Sequence, residues 1–215
     1  MAITKYEIYD YWKDKAITHT FALRRWAECR EEDEAVPVVE FSDSICCWAC
    51  GMPSLSLEKG ELAGGDDRKK DWNNDKSLQK AHIRAKSLGG LDTADNLFLL
   101  CPLCHAESPD TREKENFFAW VYYKRTQENY MITMQRELER ACRMKNMDMS
   151  AVLEYLAETD SDKLMDLRGR VIKNCTVHGA AVAWSSKAMA LLSEIRKDLL
   201  SEIRKDLCKI RKDQA

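Results

Sequence analysis

Two pairs of cysteines, Cys47-x2-Cys50 and Cys101-x2-Cys104, constrain this chain more than any other feature of it. A C-x2-C turn can present two thiolates to one ion, and two such turns complete a tetrahedral site of four sulfurs. Zinc suits that donor set and brings no redox chemistry. Whatever lies between the pairs, the chain must bring the two turns together. Gly51 follows the first pair, where the left-handed backbone that closes such a turn favours glycine. Cys46 competes with Cys47 as a ligand; the x2 spacing and Gly51 favour Cys47. A zinc held by four cysteines has no open position and is structural, so any chemistry must come from residues between and beside the turns. The plainer reading, buried thiols at accidental spacing, has to explain two independent pairs. Cys29, Cys142, Cys175 and Cys208 stand alone and read as core or surface thiols.

Nine cysteines would suggest a disulfide framework in a secreted chain. No N-terminal apolar run resembles a signal peptide, and no stretch approaches the roughly 18 apolar residues of a membrane span. The expectation is therefore a cytoplasmic location, no membrane partner, and metal as the use of paired cysteines. Hydrophobic residues make up 45% of the 215, enough for a real core, and the 33% that are charged point to long solvated helices. The formal net charge is −2, so any contacts to an anionic partner must be local patches.

Along the chain, Thr4 to about Cys29 reads as helix, with Tyr6, Tyr9, Trp12, Ala16 and Phe21 on a broken apolar face. An acidic, Val-rich connector (Glu31 to Glu40) leads into an extended piece, Val38 to Ile45. Residues 58 to 79 are polar and rich in Gly, Asp, Lys and Asn, and read as an exposed loop. Leu78 to Ile83 is short and mixed, and Gly89-Gly90 marks a turn. Asn96 to Cys101 reads as a buried strand, after which Cys104 and His105 open a helix. Asp110 with Glu113 three residues on forms a capping-box pattern for a helix that runs to about Lys145. Further helices are expected near Ser150–Ala157, Ser161–Lys173 and from Ala180 onward. The expected organisation is an N-terminal helical segment (1–40), a zinc-stapled core (41–125) and a helical C-terminal region (126–215).

The last helix holds an internal repeat. Leu191 to Asp198 reads LLSEIRKD, Leu199 to Asp206 is identical, and Leu207 to Asp213 is an imperfect third copy. Ile195, Leu199, Ile203 and Leu207 recur every fourth residue, so the stripe drifts around a helix of about 3.6 residues per turn. It reads either as a self-association or partner-docking helix, or as a duplication within a solvated one.

Between and beside the cysteine pairs lie His82-Ile83, then Gly89-Gly90, then Asn96-Leu97-Phe98-Leu99-Leu100, then Cys101-x2-Cys104-His105. Together these resemble an HNH endonuclease over about residues 47 to 110. The resemblance implies an α+β fold with a small ββα-metal core. It implies His82 as the general base that activates water, Asn96 as the residue holding the loop that orients it, and His105 as ligand of a catalytic divalent ion. The chemistry is consistent: a neutral imidazole can take a proton from water at cellular pH, and a divalent ion offsets the charge that builds on phosphate. Magnesium or manganese suits such a water-rich site beside the structural zinc. Lys80, Arg84 and Lys86 flank His82 as candidate phosphate contacts, with Arg68, Lys69 and Lys70 as a second cluster. His19 and His178 receive no role.

The pattern departs from the family in places. The position before the base, often a metal ligand, is Ala81; the usual proline after it is Ala85; and the position of a further common ligand is Pro109. Either Glu107, Asp110, another carboxylate or substrate phosphate oxygens join His105, or the enzyme is weak or inactive. The function implied is hydrolysis of phosphodiester bonds, most naturally in DNA. The alternatives are a catalytically silent zinc-stapled module that binds nucleic acid or protein, and a self-associating helical protein that the zinc module only braces.

Overall fold

In the computed structural model, residues 2–39, 45–54, 66–176 and 181–213 are described. The chain divides into two units, Met1–Tyr130 and Met131–Ala215. Both helices and small antiparallel sheets are present, so the fold is α+β.

The first unit opens with helix α1 (Lys5–Trp12). Thr4 and Glu7 cap it reciprocally: the Thr4 hydroxyl accepts from the Glu7 amide at 3.2 Å, and the Glu7 carboxylate accepts from the Thr4 amide at 2.7 Å. The expected continuation to Cys29 does not occur. Instead β1 (Lys15–Ile17) pairs antiparallel with β2 (Leu23–Arg25) and β3 (Val36–Pro37). Ala16 and Ile17 of β1 are both buried. Ile17, Thr18 and Thr20 are also β-branched, which favours extended backbone. Residues 40–44 of the expected extended piece lie outside the described residues.

Helix α2 (Asp66–Asn74) occupies part of the stretch read as loop. Its composition is almost wholly polar, and one residue anchors it: Trp72 is buried and stacks on Tyr9 with ring centroids 4.7 Å apart. Asp75 then ends the helix and starts the next strand. Its buried carboxylate accepts from the amides of Ser77 at 3.0 Å and Leu78 at 2.7 Å and from the Ser54 hydroxyl, and it pairs with Lys5 at 3.7 Å.

Strands β4 (Gln79–His82) and β5 (Leu97–Leu100) form an antiparallel ladder, Gln79 opposite Leu100 and His82 opposite Leu97. All four residues of β5 are buried. Phe98 is a hub: its ring meets Trp12, Trp48 and Phe117 edge-on at 5.3, 5.1 and 5.4 Å. The Trp12 indole also donates to the carbonyls of Ala94 and Leu97 at 2.8 and 2.9 Å, so α1 holds the chain where it enters β5. Helix α3 (Pro102–Glu107) follows at once, and α4 (Lys114–Gln127) buries Phe117, Phe118 and Val121 against the same core.

Asp110 does not cap α4. The helix starts after Glu113, which makes no side-chain cap, because the carbonyls of Thr111 and Arg112 are taken by the Ala85 amide (3.3 Å) and the Arg84 Nε (3.0 Å). Nor does α4 run to Lys145. It stops at Gln127, and the Tyr130 amide donates to the Cys50 carbonyl at 2.9 Å as α5 (Tyr130–Lys145) begins.

In the second unit, α5, α6 (Met149–Glu158), α7 (Ser161–Lys173) and α8 (Trp184–Asp213) share a core of Leu138, Cys142, Val152, Leu167, Leu192 and Ile195. Asp148 and Asp160 cap α6 and α7 through the amides of Ala151 and Lys163, each at 2.9 Å. Arg170 on α7 binds Glu194 at 2.8 Å and Asp198 at 2.6 Å on α8. Among the described residues, no helix is long and apolar enough to cross a membrane.

Candidate metal centre and active site

The two cysteine turns meet. The sulfurs of Cys47, Cys50, Cys101 and Cys104 lie within 4.8 Å of one another, and all four residues are buried. At the first turn, Gly51 adopts φ 76° and its amide donates to the Cys47 carbonyl at 2.8 Å. The Trp48 amide donates to the Leu99 carbonyl at 3.0 Å, which ties this turn to β5. At the second, Cys101 caps α3: its sulfur accepts from the Cys104 amide at 3.4 Å, and Pro102 occupies the first helical position. Cys46 is buried and stands outside the sulfur cluster, so Cys47 is the residue that joins it.

Packed this closely, the four thiols cannot ionise independently. Burial disfavours the Cys47 thiolate, but hydrogen bonds from Cys101, Cys104 and Cys50 outweigh it and hold that thiol low. Its neighbour Cys104 is pushed up, first by Cys101 and then by Cys47 and Cys50. Four thiolates at these separations need a cation among them, and the buried all-sulfur set fits zinc.

His82 ends β4 and is partly exposed. Its Nε2 lies 2.7 Å from Asp92 Oδ1, and the other oxygen of Asp92 accepts from Lys86 Nζ at 2.7 Å. Lys86 first, then His82, hold the Asp92 carboxyl below the usual carboxylate range. The loop between the histidine and this aspartate is clamped by Asn96, which is buried. The Asn96 amide oxygen accepts from the Arg84 amide at 2.9 Å, and its Nδ2 donates to the carbonyls of Arg84 at 3.2 Å and Leu91 at 3.0 Å. Gly90 is obligatory beneath that clamp: a Cβ there would sit 1.9 Å from the Arg84 carbonyl oxygen and 2.8 Å from Asn96 Nδ2. Gly89 makes the turn with φ 86°.

His105 projects from α3 onto the strand that carries His82. Its Nδ1 lies 2.5 Å from Gln79 Oε1. Gln79 and Ala81 share one face of β4, with Lys80 and His82 on the other. Ala81 is fully buried, in register with Phe98. Glu107, one candidate to join His105, instead pairs with Lys124 of α4 at 2.6 Å. Among the described residues, the four cysteines are the one group of three or more His, Cys, Asp or Glu side chains that converges.

The basic candidates separate. Arg84 and Lys86 sit on the clamped loop, Arg84 bonded to Arg112 and Lys86 to Asp92. Lys80 points its ammonium at the Ile3 carbonyl instead. In α2, Arg68 bonds the Tyr9 hydroxyl at 3.3 Å and Lys69 lies over the Tyr6 ring at 5.9 Å. Of the histidines left without a role, His19 bonds the Asp33 carbonyl at 2.9 Å through Nδ1, and His178 lies outside the described residues.

Sequence reasoning missed Asp92 and Gln79. The available signal for Asp92 was its place two residues after Gly89-Gly90 on the loop returning from His82; Gln79 carried only strand parity with Ala81. No curated protein and no solved structure matches the chain. Residues 66–109, which run from α2 through β4, the clamped loop and β5 to the end of α3, match the family model of the HNH endonuclease.

Proposed function

We propose that this protein is a metal-dependent endonuclease that hydrolyses phosphodiester bonds in DNA, with His82 as the general base. The observation that supports this most is the Asn96 clamp. Three hydrogen bonds from one buried amide fix the loop beside His82, the role expected of an HNH asparagine. In this reading a water proton passes to the free nitrogen of His82 as the water oxygen attacks phosphorus. Arg84 and Lys86, on the same loop, hold flanking phosphates, whereas Lys80 serves to fasten the N-terminal segment. His105 holds the catalytic ion, magnesium or manganese, which when bound offsets the charge developing on phosphate and the leaving oxygen. One imidazole next to a neutral amide fits a hard ion that keeps most of its water or takes oxygens from substrate. The four-cysteine site holds zinc and does no chemistry.

A second reading is a catalytically silent, zinc-braced module that binds nucleic acid or protein. It is favoured by the burial of Ala81 and by the lack, among the described residues, of a second convergent ligand group. Incubation with supercoiled plasmid and magnesium or manganese separates the two. Nicked and linear products are expected, and His82→Ala should slow their formation about 10²–10⁴-fold with zinc content and thermal unfolding unchanged. If neither DNA nor RNA is cut with either ion, the silent reading stands.

A further inference from the structure

We propose that Asp92 is a positioning residue for His82, one that fixes the imidazole with Nε2 protonated and leaves Nδ1 to receive the proton from water. The proposal rests on the nuclease reading. Its geometric basis is the 2.7 Å contact between His82 Nε2 and Asp92 Oδ1. An ionised carboxylate only accepts hydrogen bonds, so the nitrogen facing it must carry the hydrogen. A neutral imidazole has one N–H, and Nδ1 is then the nitrogen with a lone pair. A base that could flip or exchange tautomers would present the wrong nitrogen to water for part of the time.

Asp92 is exposed, 57% at its side chain, and a surface pair made by a wandering side chain would count for little. Here the backbone on which it stands is held. Its neighbour Leu91 gives its carbonyl to Asn96, the Gly90 amide donates to the Ala85 carbonyl at 3.1 Å, and Gly90 is pressed against Arg84 so closely that no side chain fits. Lys86 takes the other carboxylate oxygen, which keeps Asp92 charged and limits its rotation. The asparagine thus has a second consequence: the clamp that shapes the loop also delivers a carboxylate to the histidine. When His82 takes a proton its charge is matched by Asp92, which itself stays ionised.

Two measurements on the full chain test this. The ring 15N shifts of His82 at a pH where the ring is neutral should show one tautomer, with Nε2 protonated, in the parent. Asp92→Ala should give a mixture. In single-turnover cleavage with magnesium, Asp92→Ala should lower the rate about 10- to 100-fold, by analogy with the orienting partners of metal-bound histidines, with half-saturating DNA concentration, zinc content and melting temperature unchanged. Asp92→Glu should restore part of both readouts. A parent that cuts DNA together with an Asp92→Ala variant that cuts equally fast, or that keeps the single tautomer, would overturn the proposal. A parent that cuts nothing, while its His82 tautomer still depends on Asp92, would remove the nuclease reading and with it the catalytic purpose of the contact.

Discussion

The four cysteines and the two histidines draw on neighbouring pieces of chain, the cysteines on the 47–51 turn and the start of α3, His82 on the end of β4 and His105 within α3, yet they are built on opposite plans. At the cysteine centre the protein supplies every donor, all buried and all within 4.8 Å. Around His82 and His105 it supplies one imidazole each, held through one nitrogen by a neighbour, and among the described residues no group of three ligands includes either. A complete donor set makes an ion part of the fold. A sparse one leaves room for water and substrate, which is what the proposed chemistry on a phosphate would require. The difference is one of position as well as number. Cys101 and Cys104 are buried at the start of α3, whereas His105, the very next residue of that helix, stays half-exposed beside Gln79 of β4.

The largest effect should come from removing one donor at the complete site. Cys50→Ser takes a thiolate from a set that fits zinc, and zinc bound there would couple directly to folding, a coupling worth roughly 10–16 kcal/mol in zinc-finger peptides. The expected outcome is loss of zinc and of cooperative thermal unfolding in the first unit, measured by elemental analysis and calorimetry. The Trp48 amide bond to β5 and the Tyr130 amide bond to Cys50 should go with it. A variant that unfolds like the parent without its zinc would mean that the aromatic core around Phe98 holds the strands unaided.

His105→Ala should produce the opposite pattern. Ala81 is buried and cannot ligate, and Glu107 is taken by Lys124, so neither replaces the lost imidazole. Magnesium or manganese binding, read by calorimetric titration, should fall below detection and cleavage with it, while zinc and melting temperature hold. Equal binding by parent and variant would place the ion elsewhere.

How far the sequence could be read depended on whether a pattern had one physical cause. Asn96 to Cys101 read as a buried strand because it holds an unbroken apolar run after a turn signal, and α6 and α7 lie where helices were expected. The cysteine pairing followed from thiolate chemistry. Helix α2 was illegible because one residue, Trp72, does the anchoring that a stripe usually does. The β1–β3 sheet hid behind aromatic residues that mimicked a helical face. Asp110 carried a good capping pattern, but the loop near His82 claimed the carbonyls that a helix there would need. The repeated octads mark the limit most clearly. In the first copy Leu192 and Ile195 are 0% exposed; in the identical second copy Leu200 and Ile203 are 49% and 55% exposed. The same eight residues are core or surface according to what faces them, and that is tertiary information. The partners of the two histidines are illegible for the same reason. Asp92 and Gln79 are ordinary polar residues until the fold sets them 2.7 and 2.5 Å from an imidazole.

The smallest effect concerns Gln79, and it probes how the sparse site works at all. The amide oxygen facing His105 Nδ1 accepts only from a nitrogen that carries a hydrogen, which leaves Nε2 with the lone pair for an ion. Gln79 shares the face of β4 with Ala81, the position at which the family often places a ligand of its own. If His105 holds the proposed ion, Gln79 is what this strand offers it in place of that ligand: orientation of the donor rather than a second donor. Removing an orienting partner of this kind usually costs about 10- to 100-fold in ion affinity. Gln79→Ala should then weaken magnesium or manganese binding by a factor in that range, at the low end because the residue is exposed and water can take its place. Gln79→Glu should bind the ion at least as well as the parent, since a carboxylate accepts the same hydrogen bond and makes the imidazole a better donor. Zinc content and melting temperature should match the parent in both variants. If Gln79→Ala instead abolished ion binding as completely as His105→Ala, the amide would be a ligand in its own right, and the site would be less sparse than its contacts indicate.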